Sequence, residues 1–101
     1  MENVNVNGWT NFKQVEDAVL IDVRTLAEFN EGHIEGAVHI DIFSPNFQNE
    51  IQKLDKSKDY YLICRSGGRS MSAGNAMENI GFDRVTNLAG GMMGWIGEVA
   101  Y

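Results

Sequence analysis

Tyr60-Tyr61-Leu62-Ile63-Cys64-Arg65-Ser66-Gly67-Gly68-Arg69-Ser70 is the stretch that decides how this chain is read. Tyr60 to Ile63 form a short continuous apolar run, the pattern of a strand covered on both faces. The run ends at Cys64, and two glycines follow directly after Arg65 and Ser66. Beyond them Ala73, Ala76, Met77 and Ile80 recur at helical spacing, and Gly81 closes the stripe. The sequence therefore predicts a buried strand that turns at once into a helix, with a cysteine at the corner. Such a turn points several backbone N–H groups inward, and glycines supply the positive φ angles that a concave nest requires. The helix N-terminus adds partial positive charge and amides that bind anions. Arg65 and Arg69 add full charges, while Ser66 and Ser70 bring hydroxyls that donate or cap.

These features favour the thiolate of Cys64. A free cysteine titrates near ~8.5, and helix N-termini and cationic neighbours lower that value by one to several units. Each unit is worth ~1.4 kcal/mol of preference for the anion, so a shift of about two leaves the group mostly thiolate at neutral pH. A larger shift gains little, because nucleophilicity falls with pKa. The same cradle suits a persulfide anion, whose charge sits on the outer sulfur. A lone cysteine is more often a small buried hydrophobe than a nucleophile, and paired glycines are common in plain turns. The combination of strand end, glycines, two arginines and following helix is what separates a reactive thiol from that bland reading.

Working outward, three further apolar runs read as strands: Ala18-Val19-Leu20-Ile21, closed by Asp22-Val23-Arg24; Ala37-Val38-His39-Ile40; and Arg84-Val85-Thr86-Asn87-Leu88. Helix punctuation lies between them. Thr25 and Glu28 have capping-box spacing, with Gly32 placed to end a short helix. Ser44-Pro45 reads as an N-cap followed by proline at the first helical position, with Phe47, Ile51 and Leu54 at helical spacing. Met92, Trp95, Ile96 and Val99 form a last stripe. A helix from Thr10 to Glu16 would turn Phe12 and Val15 inward. Strands alternating with helices predict an α/β domain built on a mainly parallel sheet. Ligands of such sheets bind at the carboxyl ends of strands, where Asp22 and Cys64 both fall.

The chain has 101 residues, 44% hydrophobic and 22% charged, which fits one soluble globular domain over residues 1–101. With 8 basic against 14 acidic residues the net charge is −6, which disfavours nucleic acid and acidic membrane surfaces as partners. No apolar run is long enough to span a bilayer. The polar start Met1-Glu2-Asn3-Val4-Asn5 has neither the basic nor the apolar region of a secretory signal, and the expected location is cytoplasmic. One cysteine rules out an intrachain disulfide and a cysteine-only metal site. No cofactor and no metal are expected.

The chain resembles the rhodanese-like domain family, single-domain thiosulfate sulfurtransferases in particular. Ile21-Asp22-Val23-Arg24, Glu28-Phe29, Gly32-His33-Ile34 and Gly36-Ala37-Val38-His39-Ile40 look like the opening motif of that family. Cys64 to Ser70 looks like its active-site loop, and Leu88-Ala89-Gly90-Gly91 with Trp95 looks like its closing motif. The resemblance spans Val15 to Ile96. It implies a five-stranded, mainly parallel sheet with helices on both faces, the extra strand lying near Val4 to Val6. It implies Cys64 as the nucleophile, Arg65, Ser66, Gly67, Gly68, Arg69 and Ser70 as the loop that binds sulfur and an anionic donor, and Asp22 and Arg24 as supports beneath that loop. The C-x4-R spacing from Cys64 to Arg69 resembles the sulfurtransferases; the related phosphatases and arsenate reductases carry a longer C-x5-R loop.

The activity so implied moves a sulfane sulfur from a small anionic donor such as thiosulfate to cyanide, a thiol or a protein acceptor. A persulfide carrier and a non-catalytic binding module are the alternatives. No second cysteine exists to resolve the persulfide, so the acceptor comes from outside the chain, which is expected to be a monomer or weak homodimer. His33 and His39 read as structural rather than as a partner for Cys64, since such a pair requires spatial proximity. Met77 and Met92 read as core, with Met71 beside the loop. Trp95 reads as core and Trp9 as lying at an edge, while Glu28, Glu31 and Glu35 read as a solvated face.

Overall fold

The computed structural model describes residues 1–101. Its centre is a five-stranded sheet: β1 (Glu2–Asn5), β2 (Ala18–Asp22), β3 (Val38–His39), β4 (Asp59–Ile63) and β5 (Val85–Ala89). The strand order is β1-β5-β4-β2-β3 and every pairing is parallel. β1 is the strand that resemblance alone supplied; its polar ENVN sequence carries little strand signal, and it lies at the edge beside β5. The other edge, β3, is only two residues long with Val38 exposed, a blunt end that offers little to a further strand. Thus His39 stands on an edge strand rather than in the core.

Alternation along the central strands divides the interior in two. Ile21, Tyr60 and Leu62 point to one side, where they meet Phe47 and Ile51 of α3 (Phe47–Gln52) and Ala73 and Met77 of α4 (Gly68–Asn79). Leu20, Tyr61 and Ile63 point to the other, against Val6 of a short 3-10 turn, Trp9 of α1 (Trp9–Phe12), Ile34 and Leu88. Leu62 and Ile63 are wholly buried, each worth ~1.5–3 kcal/mol on transfer from water. Trp9, far from lying at an edge, packs on Tyr61 with ring centroids 5.2 Å apart, and Phe12 stacks on the same ring at 5.1 Å.

Three predicted helices are shorter than their apolar spacing suggests. α1 stops at Phe12 because the chain must reverse into β2; Ala18 N–H bonds Val15 O, Asp17 takes φ +67°, and Val15 is left exposed. Ser44 does not cap α3. Its hydroxyl and carbonyl accept from the N–H groups of Asn46 and Phe47, so Ser44-Pro45 forms a turn and the helix starts at Phe47. The last stripe yields one turn, α5 (Gly91–Gly94), after which Trp95 is extended. Gly94 and Gly97 are poor helix residues, and Ile96 and Val99 are exposed. The tail instead turns back so that Ala100 and His33 exchange backbone hydrogen bonds of 2.7 and 3.0 Å. α2 (Leu26–Asn30) has the predicted capping box between Thr25 and Glu28. No helix is long and apolar enough to cross a membrane.

Candidate functional site at the carboxyl edge of the sheet

β4 delivers Cys64 to the carboxyl edge with its side chain on the α4 side, 1% exposed. Gly67 then takes φ +117° as the residue before α4, a conformation that L side chains rarely adopt. This bend aims the Gly67 N–H at Cys64 Sγ, 3.0 Å away, and brings Ser70 Oγ to 3.3 Å. Gly68 needs no positive φ and has open space at its Cβ position, so Gly67 is the conformationally demanding glycine of the pair. Burial pushes the Cys64 thiol up. Hydrogen bonds from the Ser70 hydroxyl and from the N–H groups of Ser70, Gly67 and Ser66 outweigh it, and the net shift is downward.

The opposite side of the loop is held by the closing glycines. Gly90 and Gly91 have φ +89° and +54°, and the N–H groups of Met92 and Met93 bond the carbonyls of Cys64 and Arg65, both at 2.9 Å. A side chain at Gly91 would overlap Cys64 O and come within 2.6 Å of the Arg65 carbonyl carbon. The closing motif is thus a backbone brace for the Cys64 loop.

Asp22 and Arg24 form a buried ion pair at the end of β2, with Nη2 to Oδ2 at 2.7 Å and Nε to Oδ1 at 2.9 Å. Arg24 also donates to Gly32 O, and its own carbonyl accepts from His39 Nε2 at 2.7 Å. This knot ties β2, the Gly32 turn and β3 together. His33 stacks on Phe29 with centroids 3.7 Å apart and its Nδ1 lies 3.0 Å from Phe29 O. Both histidines are therefore engaged by backbone carbonyls.

The two loop arginines differ. Arg69 makes a two-pronged ion pair with Glu28, at 2.7 and 2.8 Å, and lies over the Phe43 ring. Its hydrogen bonds hold the Glu28 carboxyl down to about 2, against partial desolvation and with help from Thr25. Glu28 is thus a loop partner, not part of a solvated face. Arg65 is exposed and forms no ion pair. It borders a shallow cavity of about 350 Å³ lined also by Arg24, Glu28, Glu31, Met92 and Met93. Met92 and Met93 therefore shape this opening, and Met71 does not line it. No group of three or more His, Cys, Asp and Glu side chains is placed to hold a metal ion.

Asn87 is the site residue that sequence reading passed over. It is buried in β5 and contacts Ser70 Oγ, Gly67 O and Asn3 Oδ1. An amide side chain inside the strand-like run Val85-Thr86-Asn87-Leu88 was the available signal.

Known proteins resemble this chain in sequence and fold. The putative sulfurtransferase YtwF of Bacillus subtilis is 46% identical over 83 residues, covering 82% of this chain and 78% of that protein. The putative sulfur carrier protein YrkF of the same organism is 35% identical over 91 residues, 86% of this chain, which spans about half (48%) of that longer relative. The crystal structure of a rhodanese-like domain protein from Staphylococcus aureus superposes with a TM-score of 0.85 at 25% identity, covering 99% of this chain and 97% of that one. The profile of the Rhodanese-like domain matches residues 9–98, and with the parallel sheet and the glycine-braced cysteine loop in place, the chain belongs to the rhodanese-like domain family.

Proposed function

We propose that the protein is a sulfurtransferase that carries sulfur as a persulfide on Cys64. The observation that carries this reading is the single cysteine whose Sγ meets the Gly67 N–H and the Ser70 hydroxyl at the start of α4. These donors favour a preformed thiolate, so no general base is needed. In the first step the thiolate attacks the outer sulfur of a sulfane donor such as thiosulfate. A new S–S bond forms, the donor's S–S bond breaks, and its electron pair leaves with sulfite. Cys64 is left as a persulfide whose anionic outer sulfur faces the nest of N–H groups. In the second step a thiol, cyanide or protein nucleophile takes that sulfur, and the thiolate returns.

Arg65 is the residue suited to meet a departing anion, because Arg69 is already neutralised by Glu28. Arg69 instead anchors the start of α4 to α2, which fixes the width of the C-x4-R loop. A ring this tight accommodates one sulfur atom more readily than a tetrahedral phosphoryl group. Asp22 and Arg24 fix the end of β2 beside Ile63, the residue before Cys64, and take no part in proton transfer. A carrier role, in which the sulfur passes to a protein acceptor, uses the same persulfide; the name of the relative YrkF favours keeping it beside the thiosulfate reading.

Intact mass measurement after thiosulfate treatment tests the proposal. The expected result is a gain of one sulfur atom, reversed by cyanide and absent in Cys64→Ser. No adduct with thiosulfate or any other sulfane donor would leave a binding module as the better reading.

A further inference from the structure

We propose that Asn87 is a positioning residue that draws the Ser70 hydroxyl proton away from Cys64, and so sets the balance between thiol and thiolate. The inference rests on Cys64 being the reactive group of the reading above, but not on sulfur transfer itself.

Ser70 Oγ has one proton and three acceptors in reach: Cys64 Sγ at 3.3 Å, Gly67 O at 3.1 Å and Asn87 Oδ1, the shortest of the three contacts. The orientation of the Asn87 amide follows from its other neighbours. Gly67 O, 3.3 Å away, is an acceptor and needs the NH2 group on its side; Asn3 Oδ1 takes the same group at 2.9 Å. That leaves the Asn87 carbonyl oxygen facing Ser70. A carbonyl oxygen accepts and never donates, so this contact requires the Ser70 proton. Whatever share of that proton Asn87 holds is withheld from the thiolate. When Cys64 is a neutral thiol, its S–H can donate to Ser70 Oγ, and all groups are satisfied. When Cys64 ionises, the hydroxyl must turn from Asn87 to Sγ or leave the thiolate with backbone donors alone. Asn87 thus penalises the anion.

The sheet holds Asn87 in place for this role. It sits in register with Leu62, two residues before Cys64, and with Asn3 on the other side, and it is 2% exposed. The charged group that acts on Cys64 comes from another element, Arg69 at the start of α4; Asp22 and Arg24 at the end of β2 neutralise each other, Glu28 of α2 pairs with Arg69, and Arg65 is exposed. β5 and the Gly90–Met93 segment bring none. The effect on Cys64 is therefore separable from changes in local charge. A thiolate stabilised without limit would be a poorer nucleophile, and Asn87 provides a restraint.

The test is the titration of Cys64, the sole cysteine, followed by thiolate ultraviolet absorbance and by the pH dependence of alkylation rate. Asn87→Ala should lower the midpoint by about one unit, a roughly tenfold rise in the acid constant. Asn87→Asp retains an acceptor and should not lower it. The deciding measurement is the same substitution in a Ser70→Ala background, where the lowering should vanish because no hydroxyl is left to redirect. Should Asn87→Ala fail to fold, Asn3→Ala, at an exposed position, frees one end of the amide and should shift the midpoint in the same direction by less. An unchanged or raised midpoint in the folded variants, or a lowering that persists without Ser70, would overturn the proposal. These titrations need no sulfur donor, so an absent persulfide would not be mistaken for failure of this inference.

Discussion

Glu28→Gln isolates the charge of the Glu28–Arg69 pair from the geometry around it. Glutamine keeps a carbonyl oxygen that can accept the Thr25 N–H, so the capping box of α2 survives. What disappears is the anion facing Arg69. The Glu28 carboxyl lies at about 2 against an ordinary 4.5, held down first by its hydrogen bonds to Arg69. Taken at face value, a drop of that size converts to roughly 3.4 kcal/mol at ~1.4 kcal/mol per unit. Both side chains are about a quarter exposed, 25% and 24%, and water screens a pair so placed to about 1 kcal/mol. The sign is fixed by linkage: a carboxyl with a depressed folded value stabilises fully above its unfolded value of 4.5, and that stability is lost as pH falls through about 2. Urea unfolding across that range should therefore show wild type ahead of Glu28→Gln by about 1 kcal/mol at neutral pH, or about 4–8 °C in Tm for a domain this small. The gap should close below pH ~4.5 and vanish near pH ~2. A gap that stays constant down to pH ~2 would refute the argument, because it would mean that glutamine perturbs packing and not charge. The same variant leaves Arg69 unpaired at the loop, so thiosulfate should bind with a lower KM and a steeper salt dependence.

Two other substitutions probe the frame around the loop. Asp22→Ala leaves Arg24 buried without its counter-ion, and the expected loss is about 3–5 kcal/mol by denaturant unfolding; a loss under about 1 kcal/mol would mean that Gly32 O or entering water suffices for the guanidinium. Gly91→Ala forces its methyl into the Cys64 and Arg65 carbonyls, so the loop must shift or the fold must give. The pH midpoint for alkylation of Cys64 should rise in whatever folded protein is recovered, and a wild-type pH profile would show that α5 is no brace.

The sheet was legible where burial on both faces writes itself into composition. β4 and β2 are central, and their uninterrupted apolar runs announce them. β1 and β3 lie at the edges, where one side of the strand needs no apolar partner; ENVN therefore reads as loop, and Ala37 to Ile40 shrinks to two paired residues. Helical spacing misled at Val15 and at Ile96 and Val99 for a related reason. Periodicity reports which residues would share a face if a helix formed, but α1 ends at Phe12 where the chain reverses into β2, and α5 ends at Gly94, before Ile96 and Val99.

The candidate site was legible as a set of residues and illegible as a set of pairs. Cys64, Gly67 and Ser70 meet because they are neighbours in sequence, and a strand-to-helix turn leaves them little choice. Arg65 and Arg69 look equivalent in the same stretch, yet they are four residues apart and leave the loop differently. Arg69 falls within the first turn of α4, from which its side chain reaches Glu28, 41 residues earlier. Arg65 precedes the helix and remains in solvent. The cationic character of the loop, counted from sequence as two charges, is therefore one free charge and one that ties two helices together. Asn87 illustrates the same limit from the neutral side: only the parallel β4–β5 register, with the crossover through α4, brings it to Ser70 and Gly67. Residue types near a nucleophile can be counted along a chain. Which of them still has charge or a proton to offer is decided by contacts tens of residues away, and that is why the environment of Cys64 has to be read from Glu28 and Asn87 as much as from the loop itself.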